Sequence, residues 1–138
     1  MPAAPRSDAD LPVRPGEDPW TAEELSQVRD ELESEAVGLR AEIDKTAADM
    51  ADRLSDSVRD AGDDEADAGT KTFERELEMS LAQNAQDLLD QGERARGRID
   101  AGTYGVCESC GKAIGKARLQ AFPRATLCVE CKQRQERR

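Results

Sequence analysis

Four cysteines in the C-terminal quarter of the 138-residue chain carry its clearest chemical signal. Cys107 and Cys110 form one pair, Cys128 and Cys131 form a second, and seventeen residues separate the two pairs. Cysteine pairs at this spacing predict one tetrahedral metal site with four thiolate ligands. Two redox-active pairs are the alternative, but such motifs normally accompany a βαβ pattern, and the sequence shows none.

The ligand set also indicates what the metal does. Zinc is the ion that four thiolates favour in such sites, and a complete set of four leaves no open position for water or a substrate. The chain has no histidine, and its sequence shows neither a nucleophile beside a base nor a glycine-rich phosphate loop. We therefore predict one structural Zn2+ and a protein that is not an enzyme.

Composition limits how the rest of the chain can fold. Charged residues make up 36% of the chain and aromatic residues 3%, so a single large core is excluded. The chain can instead fold as long helices that each bury a narrow apolar stripe, with additional stabilisation from the bound metal. The net charge of −10 disfavours general binding to nucleic acid and is compatible with a basic protein partner.

Two long amphipathic helices are predicted before the cysteines. Thr21 and Glu24 form a capping box, after which apolar residues recur every three or four positions over roughly 22–60. A run with little apolar bulk follows, and a second helix is predicted over roughly 70–100. Its apolar stripe consists of Phe73, Leu77, Leu81, Ala85, Leu88, Ala95 and Ile99.

Two helices of similar length joined by a short turn pair most simply as an antiparallel hairpin. Pairing between two chains is the alternative; periodicity does not decide, and the short connection favours a monomeric hairpin. The predicted fold is mainly α: an antiparallel coiled-coil helical hairpin over 20–102, then a small four-cysteine zinc finger with a short C-terminal helix over 103–138. The short C-terminal helix should begin at the second cysteine pair.

Residues 1–19 are predicted to be a disordered tail, because they hold five of the six prolines together with Gly16 and scattered charges. No stretch of the sequence approaches the ~20 consecutive apolar residues that span a membrane, and residues 1–19 have no apolar core of the signal-peptide type. We therefore expect a cytoplasmic protein without a membrane partner, in a compartment where cysteines more often bind metals than form disulfides.

The cysteine segment resembles the zinc finger of the DksA/TraR family. The resemblance rests on Tyr104-Gly-Val-Cys-Glu-Ser-Cys-Gly111, and then on Ile114-Gly115, Arg118-Leu119, Ala121, Pro123 and Leu127-Cys128. The order of long helix, acidic tip, long helix, finger and short tail also matches, over roughly 22–138. The resemblance implies a bacterial regulator of transcription initiation that binds RNA polymerase. Its hairpin would enter the secondary channel of the polymerase, without sequence-specific DNA contacts.

The acidic tip near 61–70 is the second feature that the resemblance interprets. In the family, an Asp-x-x-Asp-x-Ala pattern at the tip acts near the polymerase active site. Counting back from the finger places this pattern on Asp64, Asp67 and Gly69, so that both aspartates match and glycine replaces the alanine. The alternative is a solvated loop that only ends the two helices, since Asp and Gly favour turns.

Some family members respond to the nucleotide ppGpp through basic residues on the second helix and the finger. This chain has Gln91, Phe122 and Lys132 at the matching positions. A ligand with four or five negative charges needs several cations, so we expect no direct binding of ppGpp.

Two other function classes stay open at the level of the sequence. The first is a zinc finger that binds nucleic acid, because residues 107–138 carry eight basic against three acidic residues, a net charge of about +5. The second is an assembly protein whose coiled coil holds partners together, although that role does not require a cluster of acidic residues at the tip.

Overall fold

The structure, a computed structural model, describes residues 10–59 and 65–137. The part of the chain that it describes is mainly helical, as predicted. Two long helices are followed by two short ones, with the bounds α1 Ala22–Arg59, α2 Glu65–Ala101, α3 Lys116–Ala121 and α4 Val129–Glu136. None of these helices has an apolar stretch long enough to cross a membrane.

The beginning of α1 is fixed by the capping box that the sequence predicts. The Thr21 Oγ1 accepts a hydrogen bond from the Glu24 N–H at 3.1 Å, and the Glu24 Oε1 accepts one from the Thr21 N–H at 3.0 Å. Trp20 and Leu25, on either side of this exchange, are buried in the same apolar cluster. This arrangement is a hydrophobic staple, and it sets the direction in which the chain enters the helix.

The end of α2 is a Schellman motif centred on Gly102. The Gly102 N–H bonds to the Ile99 carbonyl at 3.2 Å, and the Thr103 N–H bonds to the Arg98 carbonyl at 2.9 Å. Gly102 has a φ of +75°, a conformation that glycine adopts at little cost and other residues rarely adopt. The motif reverses the chain directly from α2 into the cysteine segment.

The beginning of α2 corrects the predicted extent of the tip. The helix starts at Glu65, so Asp67 and Gly69 lie within it rather than in a turn near 61–70. The helix begins with Glu65-Ala66-Asp67-Ala68. The helix dipole favours acidic residues in the first turn, and alanine has the highest helix propensity. These preferences outweigh the ~1 kcal/mol that a single glycine costs. Residues 60–64, Asp64 among them, lie outside the described residues.

The two long helices form the predicted antiparallel hairpin. As the position on α1 advances, the partner position on α2 falls, as shown by the ion pairs Arg29–Asp100, Glu33–Arg96 and Arg53–Glu78. The side chains of these pairs are partly exposed to solvent, and ion pairs near the surface contribute little stability. Their main value here is that they define the register of α1 against α2.

The helices bury very different amounts of surface along their length. The chain separates into two compact units, Met1–Ser34 with Gln91–Arg138 and, second, Glu35–Asp90. The first unit holds a continuous apolar cluster to which α1 contributes Leu25, Val28 and Leu32. In the second unit, the described apolar residues that are fully buried are Ala36, Ala85 and Leu89. Most of the hydrophobic stabilisation therefore belongs to the first unit.

The inward face of α2 differs from the predicted stripe in its first half. Phe73, Leu77 and Leu81 are 67%, 51% and 54% exposed, so their prediction as buried residues is wrong. The residues that point inward instead belong to an overlapping heptad pattern at positions 78, 82, 85, 89, 92 and 99. A regular heptad keeps one seam facing the partner helix, and its small residues, such as Ala85, allow the helix axes to approach closely.

A charge placed at a buried position of α1 and at an exposed position of α2 tests which residues form the seam between the helices. Leu32→Asp would bury an unpaired carboxylate, because Leu32 is 1% exposed, and should lower the free energy of unfolding by ~3 kcal/mol or more. Leu81→Asp adds the same charge on an exposed position and should cost less than about 1 kcal/mol. Urea unfolding followed by circular dichroism measures both values. A loss for Leu81→Asp as large as that for Leu32→Asp would show that Leu81 belongs to the buried seam of α2.

Candidate metal centre

The first cysteine pair lies in a tight knuckle. Val106 and Ala113 form an isolated antiparallel bridge across its base. The Cys107 N–H donates to the Lys112 carbonyl at 2.8 Å, and the Gly111 N–H donates back to the Cys107 carbonyl at 3.0 Å. Gly111 has a φ of +76°, a conformation that glycine adopts easily where the chain reverses directly after Cys110.

The second cysteine pair opens α4, as the sequence predicts. Cys128 is the residue that precedes the helix, and the Lys132 N–H donates to its carbonyl at 2.9 Å. Residues three positions apart lie on the same face of a helix, so Cys131 can present its sulfur beside that of Cys128. The Cys128 N–H also donates to the Cys107 Sγ at 3.4 Å, which ties the second pair to the first.

The four sulfur atoms converge on one point. They all lie within 4.8 Å of one another, and the Sγ atoms of Cys110 and Cys128 are 3.8 Å apart. A tetrahedral zinc site with Zn–S bonds of ~2.3 Å has sulfur–sulfur edges of about 3.8 Å. Three of the four cysteines are buried, while Cys110 is exposed. The donor set and its spacing therefore fit a zinc ion.

The electrostatics of the thiols point the same way. Burial opposes ionisation of Cys107, but the backbone N–H groups of Cys110, Cys128 and Ser109 outweigh it and lower the pKa of this thiol to about 6. The pKa of Cys131 is raised to about 12, chiefly by the neighbouring Cys128 side chain. One thiolate is thus favoured while another is opposed by its neighbours, and four thiolates need a cation at their centre.

Comparison with known proteins identifies the family. Residues 102–137 match the prokaryotic dksA/traR C4-type zinc finger family. Over 119 residues the chain is 32% identical to the Escherichia coli K12 protein named RNA polymerase-binding transcription factor DksA, a match that covers 86% of this chain and 76% of that protein. This chain belongs to the DksA/TraR family. With the converging sulfurs, this membership identifies one structural zinc ion as its cofactor.

Two further similarities extend over different parts of the chain. The Caulobacter vibrioides NA1000 protein that is also named RNA polymerase-binding transcription factor DksA is 40% identical over 75 residues, which cover 54% of this chain and 53% of that protein. The structure of transcription factor DksA2 from Pseudomonas aeruginosa superposes with a TM-score of 0.68 at 32% identity, over 84% of this chain and 85% of that chain. This chain therefore shares with DksA2 the helical hairpin as well as the finger.

The finger shares one core with the base of the hairpin. Its residues Ile114, Leu119 and three of the cysteines belong to the same buried cluster as Leu25 and Ile99 of the long helices. The predicted boundary between a hairpin over 20–102 and a finger over 103–138 therefore runs through a continuous core. Tyr104 lies at this boundary, where it is 2% exposed and its hydroxyl donates to the Pro123 carbonyl at 2.8 Å.

A segment before α1, residues 10–20, also packs on the finger, and we call it the N-terminal strap. Leu11 is 3% exposed and joins the buried cluster, and the Arg14 guanidinium pairs with Glu130 of α4 at 3.1 Å. The predicted disordered tail over 1–19 is therefore wrong for residues 10–19, whereas residues 1–9 lie outside the described residues. Prolines reduce the conformational freedom of the unfolded chain, so ordering such a segment costs less entropy.

Glu17 is the polar anchor of the N-terminal strap. Its carboxylate accepts hydrogen bonds from the backbone N–H groups of Lys116 and Ala117 at 2.9 Å each, and from that of Arg14 at 2.7 Å. The bond from Ala117 is the largest cause of a lowered pKa, against a partial opposition from burial. Glu17 thus satisfies N–H groups at the start of α3, a role that sequence periodicity could not reveal because a hundred positions separate the partners.

Among the described residues, the cluster that could hold a metal ion consists of the four cysteines. Asp67 and Gly69 lie in the first turns of α2, and no atom within 4 Å would obstruct a side chain at Gly69. Gln91, Phe122 and Lys132 are all exposed.

Metal analysis tests the centre directly. The purified protein should contain one zinc ion per chain, and Cys110→Ser should reduce this content because a hydroxyl is a poor replacement for a thiolate ligand. Because zinc binding can contribute on the order of 10 kcal/mol to the folding of such sites, the variant should also unfold at a much lower temperature. A protein without stoichiometric zinc, or with two intramolecular disulfides, would contradict the assignment.

The anchor of the N-terminal strap predicts a pH dependence. The pKa of Glu17 in the folded state lies below its ordinary value of 4.5, so its stabilisation is complete above pH 4.5 and is lost as the pH falls through the lowered pKa. Glu17→Gln should remove this acid-sensitive part and cost ~1 kcal/mol at neutral pH. Unfolding curves followed by the fluorescence of Trp20, the single tryptophan, measure both effects.

Asp18→Asn is the matched control for Glu17→Gln, because Asp18 is an exposed neighbour of the same charge. It should leave both the stability and the acid sensitivity unchanged. If Glu17→Gln instead kept the pH profile of the natural protein, Glu17 would not be the anchor.

Proposed function

We propose that this protein is a regulator of transcription initiation that acts by binding bacterial RNA polymerase. The observation that carries the proposal is the 32% identity, over 86% of the chain, to a protein named RNA polymerase-binding transcription factor DksA. The matching hairpin and four-cysteine finger support it. Family membership supports a non-enzymatic role in the cytoplasm, where the polymerase works.

The dimensions of the hairpin suit a probe. Its helices have 38 and 37 residues, and at ~1.5 Å per residue each is ~55 Å long. In our proposal the hairpin enters the secondary channel of the polymerase, while the finger and the base of the helices dock on the rim of the channel. Insertion would bias the stability of promoter complexes. Zinc would maintain the folded conformation of this docking surface, bound by Cys107, Cys110, Cys128 and Cys131.

The acidic tip is the part that we propose acts on the polymerase. Asp64 and Asp67 would carry the effect, with Gly69 in place of the alanine of the family pattern. Five acidic residues within eight positions repel one another, which makes a purely stabilising role for them implausible on physical grounds. The net charge of −10 of the whole chain supports a monomer that makes no sequence-specific DNA contact. Gln91 and Phe122 are uncharged, which supports the absence of direct ppGpp binding.

Binding of nucleic acid through the finger is less well supported. Two of its cations are engaged within the protein: Lys116 pairs with Glu24 at 2.7 Å, and the Arg118 guanidinium donates to the Leu127 carbonyl at 3.1 Å. Cations that are already paired contribute less to binding phosphates, which is the main source of affinity for nucleic acid.

The tip proposal is tested by Asp64→Asn with Asp67→Asn. This double change removes two negative charges at nearly constant shape, so thermal stability should be unchanged or slightly raised. Binding to RNA polymerase should be largely retained, because docking is at the finger and the base of the helices. Most of the effect on transcription in vitro should be lost.

Asp52→Asn with Asp56→Asn is the control, because it removes the same charge from exposed positions of α1. This control should keep its activity in transcription. Full transcriptional activity in the tip variant would refute the tip mechanism, and a failure of that variant to fold would show that its carboxylates are structural.

A further inference from the structure

An unpaired apolar surface lies on the second compact unit. Phe73, Leu77 and Leu81, which we call the apolar row, follow one another at four-residue spacing and are 67%, 51% and 54% exposed. Side chains four residues apart lie on one side of a helix, so the row presents one continuous apolar edge of α2. Exposed apolar patches of this kind generally mark an interaction surface.

The apolar row does not belong to the buried seam of the hairpin. The inward face of α2 in this unit carries Ala85 and Leu89, which are 3% and 7% exposed. Glu78, the residue after Leu77, turns toward α1 and pairs with Arg53. The row therefore flanks the seam instead of forming it, and its large side chains remain available to a partner.

The charges around the apolar row define what such a partner must look like. Glu76 follows Phe73 by three positions and Glu74 precedes Leu77 by three, so these exposed acids border the row on both sides. The cations of this stretch, Lys71 and Arg75, stand two positions from row residues, about 200° around the helix. The row is thus an apolar edge within an acidic border, and its cations lie on the far side.

A second copy of the chain is a poor occupant of this surface. Two apolar rows brought together would also bring together their acidic borders, and like charges placed in this way oppose association. The complementary surface is an apolar groove bordered by lysine or arginine side chains, into which one face of an amphipathic helix docks at positions i, i+4 and i+8.

We propose that the apolar row is a second docking surface for RNA polymerase, which seats it in an apolar groove with a basic border. This inference rests on the proposed function and adds an affinity determinant on α2 that is separate from the finger and from the acidic tip. Large apolar side chains that become fully desolvated commonly dominate the affinity of a protein interface.

The test uses the full-length, zinc-loaded protein with Phe73→Ala and Leu77→Ala combined. Alanine favours helix formation and both positions are exposed, so the thermal midpoint should stay within a few degrees. The dissociation constant for RNA polymerase should rise by about tenfold or more, since loss of one desolvated anchor commonly has that effect. Glu74→Lys with Glu76→Lys, which reverses the charge of the acidic border, should also weaken binding to RNA polymerase, and this effect should be larger at low salt.

Met79→Ala is the matched control. Met79 is 54% exposed on the same helix but stands two positions from Leu77 and so faces away from the row. It should leave affinity unchanged. Unchanged affinity in the row variant, with normal binding by the natural protein, would overturn this inference and leave the proposed function standing. A natural protein that fails to bind the polymerase would remove both, and a dimer that the row variant dissociates would assign the row to self-association.

Discussion

Four thiolates at one point are the constraint on which the rest of the first unit depends. The sulfurs lie within 4.8 Å of one another, and without a divalent cation such a group cannot ionise fully, since the raised pKa of Cys131 reflects the neighbouring Cys128 side chain. With the cation, the two cysteine pairs would be held together as one unit. Leu11, Trp20, Leu25 and Ile99 pack into the same buried cluster as three of the cysteines, so we expect the metal to stabilise the N-terminal strap and the base of the hairpin as well.

The second unit has much less buried apolar surface than the first. Few of its described residues are fully buried, and its apolar row faces outward. A helical pair with so little buried apolar surface opens locally at low free-energy cost. Its charges and exposed apolar edge are suited to a partner that completes the packing. The protein thus combines a base stabilised from within by metal and core with a hairpin segment whose large apolar side chains remain available for binding.

Much of this structure can be predicted from the sequence where the signals are local. Cysteine spacing gives the metal centre, the pair Thr21 and Glu24 gives the start of α1, and periodicity gives two long helices. The choice between two overlapping stripes on α2 could not be predicted, because Leu81 and Ala82 each fit a spacing of three and four residues and only packing against α1 distinguishes them. The N-terminal strap was missed because its partners lie about a hundred positions away.

The central claim is that zinc organises the finger, the N-terminal strap and the base of the hairpin as one cooperative unit. Hydrogen–deuterium exchange of the protein, with zinc and after its removal under reducing conditions, tests this most directly. The account predicts that amides in 11–20, 22–34 and 91–136 lose protection together, while those in 37–56 and 70–88 keep their exchange rates. Loss of protection confined to the finger, with the strap and both helix bases unchanged, would contradict it.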